Sequence, residues 1–144
     1  MAANVLIDAN ILVDFLSRRD TAVNLTATNN LMKRISDKSI NGFISPQIIH
    51  IVSYLMQKNY SASVDDIRFF WDELLSFVYL IECNENAIDD VILSDMVDFE
   101  DCMLAYTAVH NGMDYLATND KNFLKQQIPQ LQIVTPSALL KQLP

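Results

Sequence analysis

Cysteine is nearly absent from this chain: Cys83 and Cys102 stand alone, with no CxxC and no Cys/His spacing. That speaks against a zinc site and against a disulfide framework. Glycine occurs twice and proline four times, and no linker, repeat or low-complexity stretch interrupts the chain, so residues 1–144 read as one compact domain with a core of its own. No apolar run approaches the roughly 20 residues of a membrane span. No basic stretch or cleavage site precedes the first apolar run, so no signal peptide is expected, and the reading is a cytoplasmic protein with reduced cysteines. Positive charge is scarce too: ten basic against eighteen acidic residues give a net charge of −8. A nucleic-acid enzyme normally offers positive potential to phosphates. The basic residues present are clustered, as Arg18-Arg19, Lys33-Arg34 and Lys38. They read equally as solvated helix ends or as RNA contacts, and the acidic surface would suit a basic protein partner.

What is present is an alternation of short apolar strands with helical periodicities. Strands are expected over 5–8, 42–45, 78–82, 114–118 and 131–134. Helical patterns lie around 11–16, 22–37, 46–60, 64–78, 84–96, 100–111 and 136–143. Ser45-Pro46 reads as cap and first turn, Ser63-Val64-Asp65-Asp66 as a capping box, and Gly112 as a C′ glycine. Ile48, Ile51, Val52 and Leu55 form one stripe; Val64, Ile67, Trp71, Leu74, Leu75 and Val78 form another. The pattern predicts an α/β fold, a parallel sheet covered by helices on both faces, with strand C-termini gathered on one edge by right-handed crossovers.

Four acids fall on that edge: Asp8 at the end of the first strand, Glu100 and Asp101 at a helix start, and Asp120 after the fourth strand. Crowded carboxylates repel and raise one another's pKa unless a cation sits among them. Such hard oxygen donors suit Mg²⁺ or Mn²⁺ and point to metal-assisted phosphoryl chemistry. Each acid also has a structural reading. Asp8 can cap the following helix, Glu100 and Asp101 can complement a helix dipole, and Asn119-Asp120 can make a turn. Asp98 reads as a solvated loop residue. Asn10 and Thr118 could support the cluster through hydrogen bonds.

Three segments carry a family resemblance. Leu6-Ile7-Asp8-Ala9-Asn10-Ile11-Leu12, Asp98-Phe99-Glu100-Asp101-Cys102-Met103-Leu104-Ala105-Tyr106 and Ala117-Thr118-Asn119-Asp120-Lys121-Asn122-Phe123 resemble, in order and spacing, the first, third and fourth motifs of PIN domains, especially VapC-like toxins. The resemblance implies a three-layer α/β/α sandwich with a five-stranded parallel sheet. It also implies a Mg²⁺- or Mn²⁺-dependent endoribonuclease, often a homodimer held inactive by an antitoxin. Asp8, Asp101 and Asp120 take the places of the family's catalytic, metal-binding acids, with Glu100 as a further metal-site acid. Arg18, Arg19 and Lys121 are candidates for guiding the RNA backbone. One position departs from the pattern: where the family carries a Glu after the second strand, this chain has Ile51, with His50 beside it. A degenerate PIN domain that binds RNA or protein without catalysis is therefore the alternative.

A haloacid-dehalogenase-type phosphatase fits less well, because Asn10 stands where its second Asp belongs. A phosphoacceptor receiver domain fits less well, because Cys83-Asn84 and Thr135-Pro136 lack its Asp and Lys. Tyr54, Met56, Tyr60, Phe69 and Phe70 lie off the core stripes and could form a dimer or partner surface, unless both helix faces are buried.

Overall fold

The computed structural model describes residues 1–17 and 22–144. Arg18 and Arg19 lie outside the described residues. Five strands form one parallel sheet in the order β3-β2-β1-β4-β5. They are β1 (Ala3–Ile7), β2 (Ile40–Ile44), β3 (Tyr79–Leu80), β4 (Tyr115–Ala117) and β5 (Gln132–Val134). Val5, Leu6 and Ile7 of central β1 are all fully buried. A continuous apolar run of this kind needs cover on both faces, as parallel sheets require.

The connections supply that cover. Helices α1 (Ala9–Ser17) and α2 (Ala22–Ser36) link β1 to β2, and α3 (Pro46–Tyr60) and α4 (Val64–Leu74) link β2 to β3. Both moves step outward from β1, so right-handed crossovers put these helices on one face. The return from β3 to β4 passes through α5 (Glu85–Leu93) and α6 (Phe99–His110), which the same rule puts on the other face. Helix α8 (Pro136–Gln142) closes against α2. Gly42 shows how tightly α2 sits: a Cβ there would lie 2.5 Å from Ile35 Cγ2.

Local signals explain the boundaries. Ser63 and Asp66 form the expected capping box of α4. Asn84 and Thr135 cap α5 and α8 through their side chains. Gly112 adopts φ +68°, the left-handed conformation that ends α6 at low steric cost. Several expectations need correction. Ser45 holds the cap position of α3, but its side chain makes no capping hydrogen bond. Asp98 is no loose loop residue: its Oδ1 accepts from Asp101 N at 3.0 Å and caps α6. A four-residue helix, α7 (Lys121–Leu124), follows β4 and was not expected.

The helix stripes are broadly as read. Ile48 and Val52 are buried while Ile51 and Leu55 are half-buried against the core. On the α4 stripe, Val64 and Leu75 are exposed, while Ile67, Trp71, Leu74 and Val78 are buried. Of the five residues read as off-stripe, Tyr54, Tyr60 and Phe69 are exposed. Met56 is buried, and Phe70 packs edge-on against Trp71 with ring centroids 4.8 Å apart. Cys83 and Cys102 are both free thiols. Among the described residues, no helix is long and apolar enough to cross a membrane.

Candidate functional site

The site is built where β1 and β4 end. Asp8 N donates to Ala117 O at 3.0 Å, carrying the ladder one residue past β1. Continuing the β1–β4 register places Thr118 directly beside Asp8. Thr118 is fully buried and Asp8 only 9% exposed, so both polar side chains must find partners. They find each other: Thr118 Oγ1 donates to Asp8 Oδ2 at 2.7 Å. Asn10 Nδ2 reaches both Asp8 Oδ2 and Thr118 Oγ1 at 3.1 Å. The second Asp8 oxygen, Oδ1, accepts from Ala9 N at 2.7 Å. This bond reaches only the first helical N–H, so Asp8 does not cap α1 in the usual N2 or N3 pattern.

Asn10 also ties the two strand ends together. Its Oδ1 accepts from Asn119 N at 3.0 Å, and Asn119 Nδ2 donates to Asp14 Oδ2 at 3.3 Å. Asn10 and Thr118 thus both bond to Asp8, and Asp14 joins them through Asn119, a contact the sequence did not suggest. Asp120 has two tasks. Its backbone N–H donates to Thr118 Oγ1 at 3.1 Å, and its Oδ1 caps α7 by accepting from Asn122 N at 2.8 Å and Phe123 N at 3.3 Å. The turn reading of Asp120 therefore holds, and it leaves Oδ2 outside that cap.

Glu100 and Asp101 enter from the first turn of α6. Gln47 Nε2 of α3 donates to Glu100 O at 2.9 Å, pinning the start of α6 to the start of α3. Electrostatics shows how close the acids are. The Asp101 carboxyl is pushed up to about 7, first by burial and then by the charges of Asp98, Asp8, Asp120 and Glu100. Asp8 is also raised, chiefly by burial; the Thr118 hydroxyl and the Ala9 N–H pull it back, while Asp120 and Glu100 push it up. Five carboxylates from three segments therefore share one electrostatic neighbourhood.

That donor set has the chemistry of a hard divalent-cation site: oxygen only, anionic, and short of countercharge. The side chains are gathered but not converged. Among the described residues, no three acidic, His or Cys side chains stand close enough to hold one ion as they are oriented. A second polar group waits nearby: Ser45, 2% exposed, has a buried Oγ with no hydrogen-bond partner among the described residues.

The expected basic contacts are divided. Lys121 opens α7 beside Asp120 and is exposed. Lys125, which drew no attention in the sequence, lines a cavity of about 460 Å³ with Asp98, Asp101 and Asn122. Lys33, Arg34 and Lys38 instead lie at the far edge of the sheet. There Arg34 Nη2 donates to Pro144 O at 2.8 Å and Lys38 Nζ to Phe77 O at 2.8 Å. His50 is exposed on α3, and Ile51 beside it packs on the core.

Such an arrangement is that of an acid-lined site at the carboxyl edge of an open α/β sheet. The sequence matches the PIN domain family over residues 4–122, and the chain belongs to that family. No curated protein matches it in sequence. Among solved structures it resembles VapBC2 from Rickettsia felis bound to a promoter DNA fragment, with 19% identity, a TM-score of 0.66, and coverage of 90% of this chain and 96% of that one. A toxin–antitoxin complex from Klebsiella pneumoniae gives 18% identity and a TM-score of 0.66, covering 92% and 97%. VapC20 of Mycobacterium tuberculosis, a toxin that cleaves the sarcin–ricin loop, gives 10% identity and a TM-score of 0.66, covering 89% and 98%. At these identities the likeness is one of fold.

Proposed function

We propose that this chain is a divalent-metal-dependent endoribonuclease and the toxin of a toxin–antitoxin pair. The observation that carries the reading is the gathering of Asp8, Asp101, Asp120 and Glu100 on one sheet edge, where burial first and the neighbouring charges second push the Asp101 carboxyl up to about 7. A cluster kept only for stability would not gather uncompensated charge on a half-buried edge. In this reading Asp8, Asp101 and Asp120, with Glu100, hold Mg²⁺ or Mn²⁺. When bound, the cation supplies positive charge that polarises a scissile phosphate and acidifies the attacking water. The chain's own contribution is orientation. Thr118, Asn10 and the Ala9 N–H fix both oxygens of Asp8. The α7 cap fixes Asp120, and the Gln47 tether fixes the α6 start that bears Glu100 and Asp101. Lys121 and Lys125 flank the acids and are the residues available to meet the RNA backbone from α7 and the residue that follows it.

The fold's likeness to structures of toxins, two of them in toxin–antitoxin complexes, supports an antitoxin partner. Exposed Tyr54 and Phe69 on neighbouring helices α3 and α4 support a homodimer. A monomer by light scattering at micromolar concentration would remove the dimer from the proposal.

A second reading has its own observation. Helix α3 carries no acid, and Ile51 packs on the core. This favours a PIN-fold module that binds RNA or protein without cutting. Cleavage of total tRNA and rRNA decides between them, run with Mn²⁺, Mg²⁺ or EDTA beside Asp8→Asn. Metal-dependent cuts absent from the variant support the nuclease. No cutting by folded protein at high concentration supports the binding module.

A further inference from the structure

We infer that Ser45 is an oxygen ligand of the cation held by the carboxylate cluster, directly or through one of the ion's waters; this rests on the metal-site reading above. Ser45 follows β2, and the β1–β2 register pairs Leu6 with Phe43. Two residues further along, Ser45 stands beside Asp8. Register partners in a parallel pair point to the same face, as Asn4 and Asn41 show through their side-chain hydrogen bond of 3.1 Å. Thr118 flanks Asp8 on the opposite side and bonds to it. Ser45, Asp8 and Thr118 thus form one row across three strand ends, on the face covered by α6.

Two of the three are satisfied within the row; Ser45 is not. Its own helix does not use the hydroxyl, because the Ile48 and Ile49 N–H groups go to the Ser45 backbone oxygen at 3.0 and 3.3 Å. The Asp8 oxygens accept from Ala9, Asn10 and Thr118, and neither bonds to Ser45 Oγ. Buried polar groups almost always find partners, and the Ser45 hydroxyl, in register with Asp8, has none among the described residues. A hard cation or its hydration shell is such a partner, since a neutral hydroxyl oxygen is a competent ligand for Mg²⁺. Position matters as well. Helix α3 brings no carboxylate to this flank, so Ser45 offers an oxygen where α3 has no acid to give.

Mn²⁺ titration calorimetry and Mn²⁺-dependent melting on the full chain test this without any cleavage assay, on wild type, Asp8→Asn, Ser45→Ala and Ser45→Gly. The expected result is wild-type binding, none in Asp8→Asn, and affinity lowered roughly 10-fold in both Ser45 variants, as for other groups that support a metal site. The metal-free Tm of Ser45→Ala should not fall, because an unsatisfied hydroxyl is removed. Unchanged Mn²⁺ affinity with a lowered metal-free Tm would make Ser45 a structural cap and overturn the inference alone. Absence of Mn²⁺ binding in wild type would overturn the metal-site reading and this inference together.

Discussion

Asp37 and Asp101 are the same residue type at opposite edges of one sheet, and their carboxyls move in opposite directions. Asp37, before β2, is held below its ordinary range by the backbone N–H and hydroxyl of Ser39, with Arg34 and Lys33 adding countercharge. Asp101, at the carboxyl edge, is pushed up to about 7 by burial and by four neighbouring acids. One edge meets its acids with donors and cations. The other gathers acids around Asp8, and the donors that bond to them are neutral: Thr118, Asn10 and the N–H groups of Ala9, Asp101, Asn122 and Phe123. A fold selected for stability alone would spread that charge. The difference supports the proposed cation at the carboxyl edge.

The largest expected effect comes from deleting the central charge. Asp8→Asn keeps one acceptor oxygen, enough for the Ala9 N–H or the Thr118 hydroxyl but not for both, so the fold should persist by circular dichroism with a lowered metal-free Tm. Mn²⁺-dependent melting shifts should be lost and RNA cleavage should fall by roughly 10²–10³-fold, as for loss of one preorganised electrostatic group. An unfolded variant would instead make Asp8 a structural residue. Next in size is a packing control remote from the acids. Gly42→Ala drives a methyl into Ile35, and overpacking of this kind costs roughly 1–3 kcal/mol. Urea melts should show that loss while Mn²⁺ affinity per folded molecule stays at the wild-type value. A parallel loss of affinity would mean that the edge and the core are not separable.

Much of this comparison is legible in the sequence alone. The run Val5-Leu6-Ile7 ending in Asp8 has the form of a buried parallel strand, and the capping box at Ser63 marks a helix start by local chemistry that needs no tertiary context; Asn84 and Thr135 cap by the same chemistry but were not singled out. The acids could be placed on one edge because crossover handedness is nearly invariant. What was not legible depends on register and on three-dimensional reach. Nothing in the spacing puts Ser45 beside Asp8; that follows from how β2 pairs with β1. Lys38 and Lys125 look alike in the sequence, yet one bonds Phe77 O at the far edge and the other lines a cavity with Asp98 and Asp101. Asp98 was readable, since it precedes Asp101 by the three residues of a capping bond. Its place outside the apolar pattern concealed it. Helix α7 is too short to show a period.

The smallest effects are also the sharpest test, because the two edges predict opposite signs. In metal-free protein the folded Asp101 pKa lies above its unfolded value of 3.8. The folded state then binds the extra proton between those values, so this group's contribution to stability falls as pH rises from about 4 to about 7. Asp101→Asn removes that penalty. Its metal-free Tm should match wild type near pH 4 and exceed it at pH 8, by roughly 2–4 °C for each kcal/mol of repulsion relieved. Asp37 has its folded pKa below the unfolded one, so its contribution is present above pH 3.8 and is lost as pH falls through the folded value. Asp37→Asn should therefore lie below wild type at pH 8 and converge with it in acid. Saturating Mn²⁺ should reverse the Asp101 difference, because the cation makes the charge favourable, and leave the Asp37 difference untouched. Equal behaviour of both variants across pH and Mn²⁺ would show that the two edges share one electrostatic character, and the site would lose its physical basis.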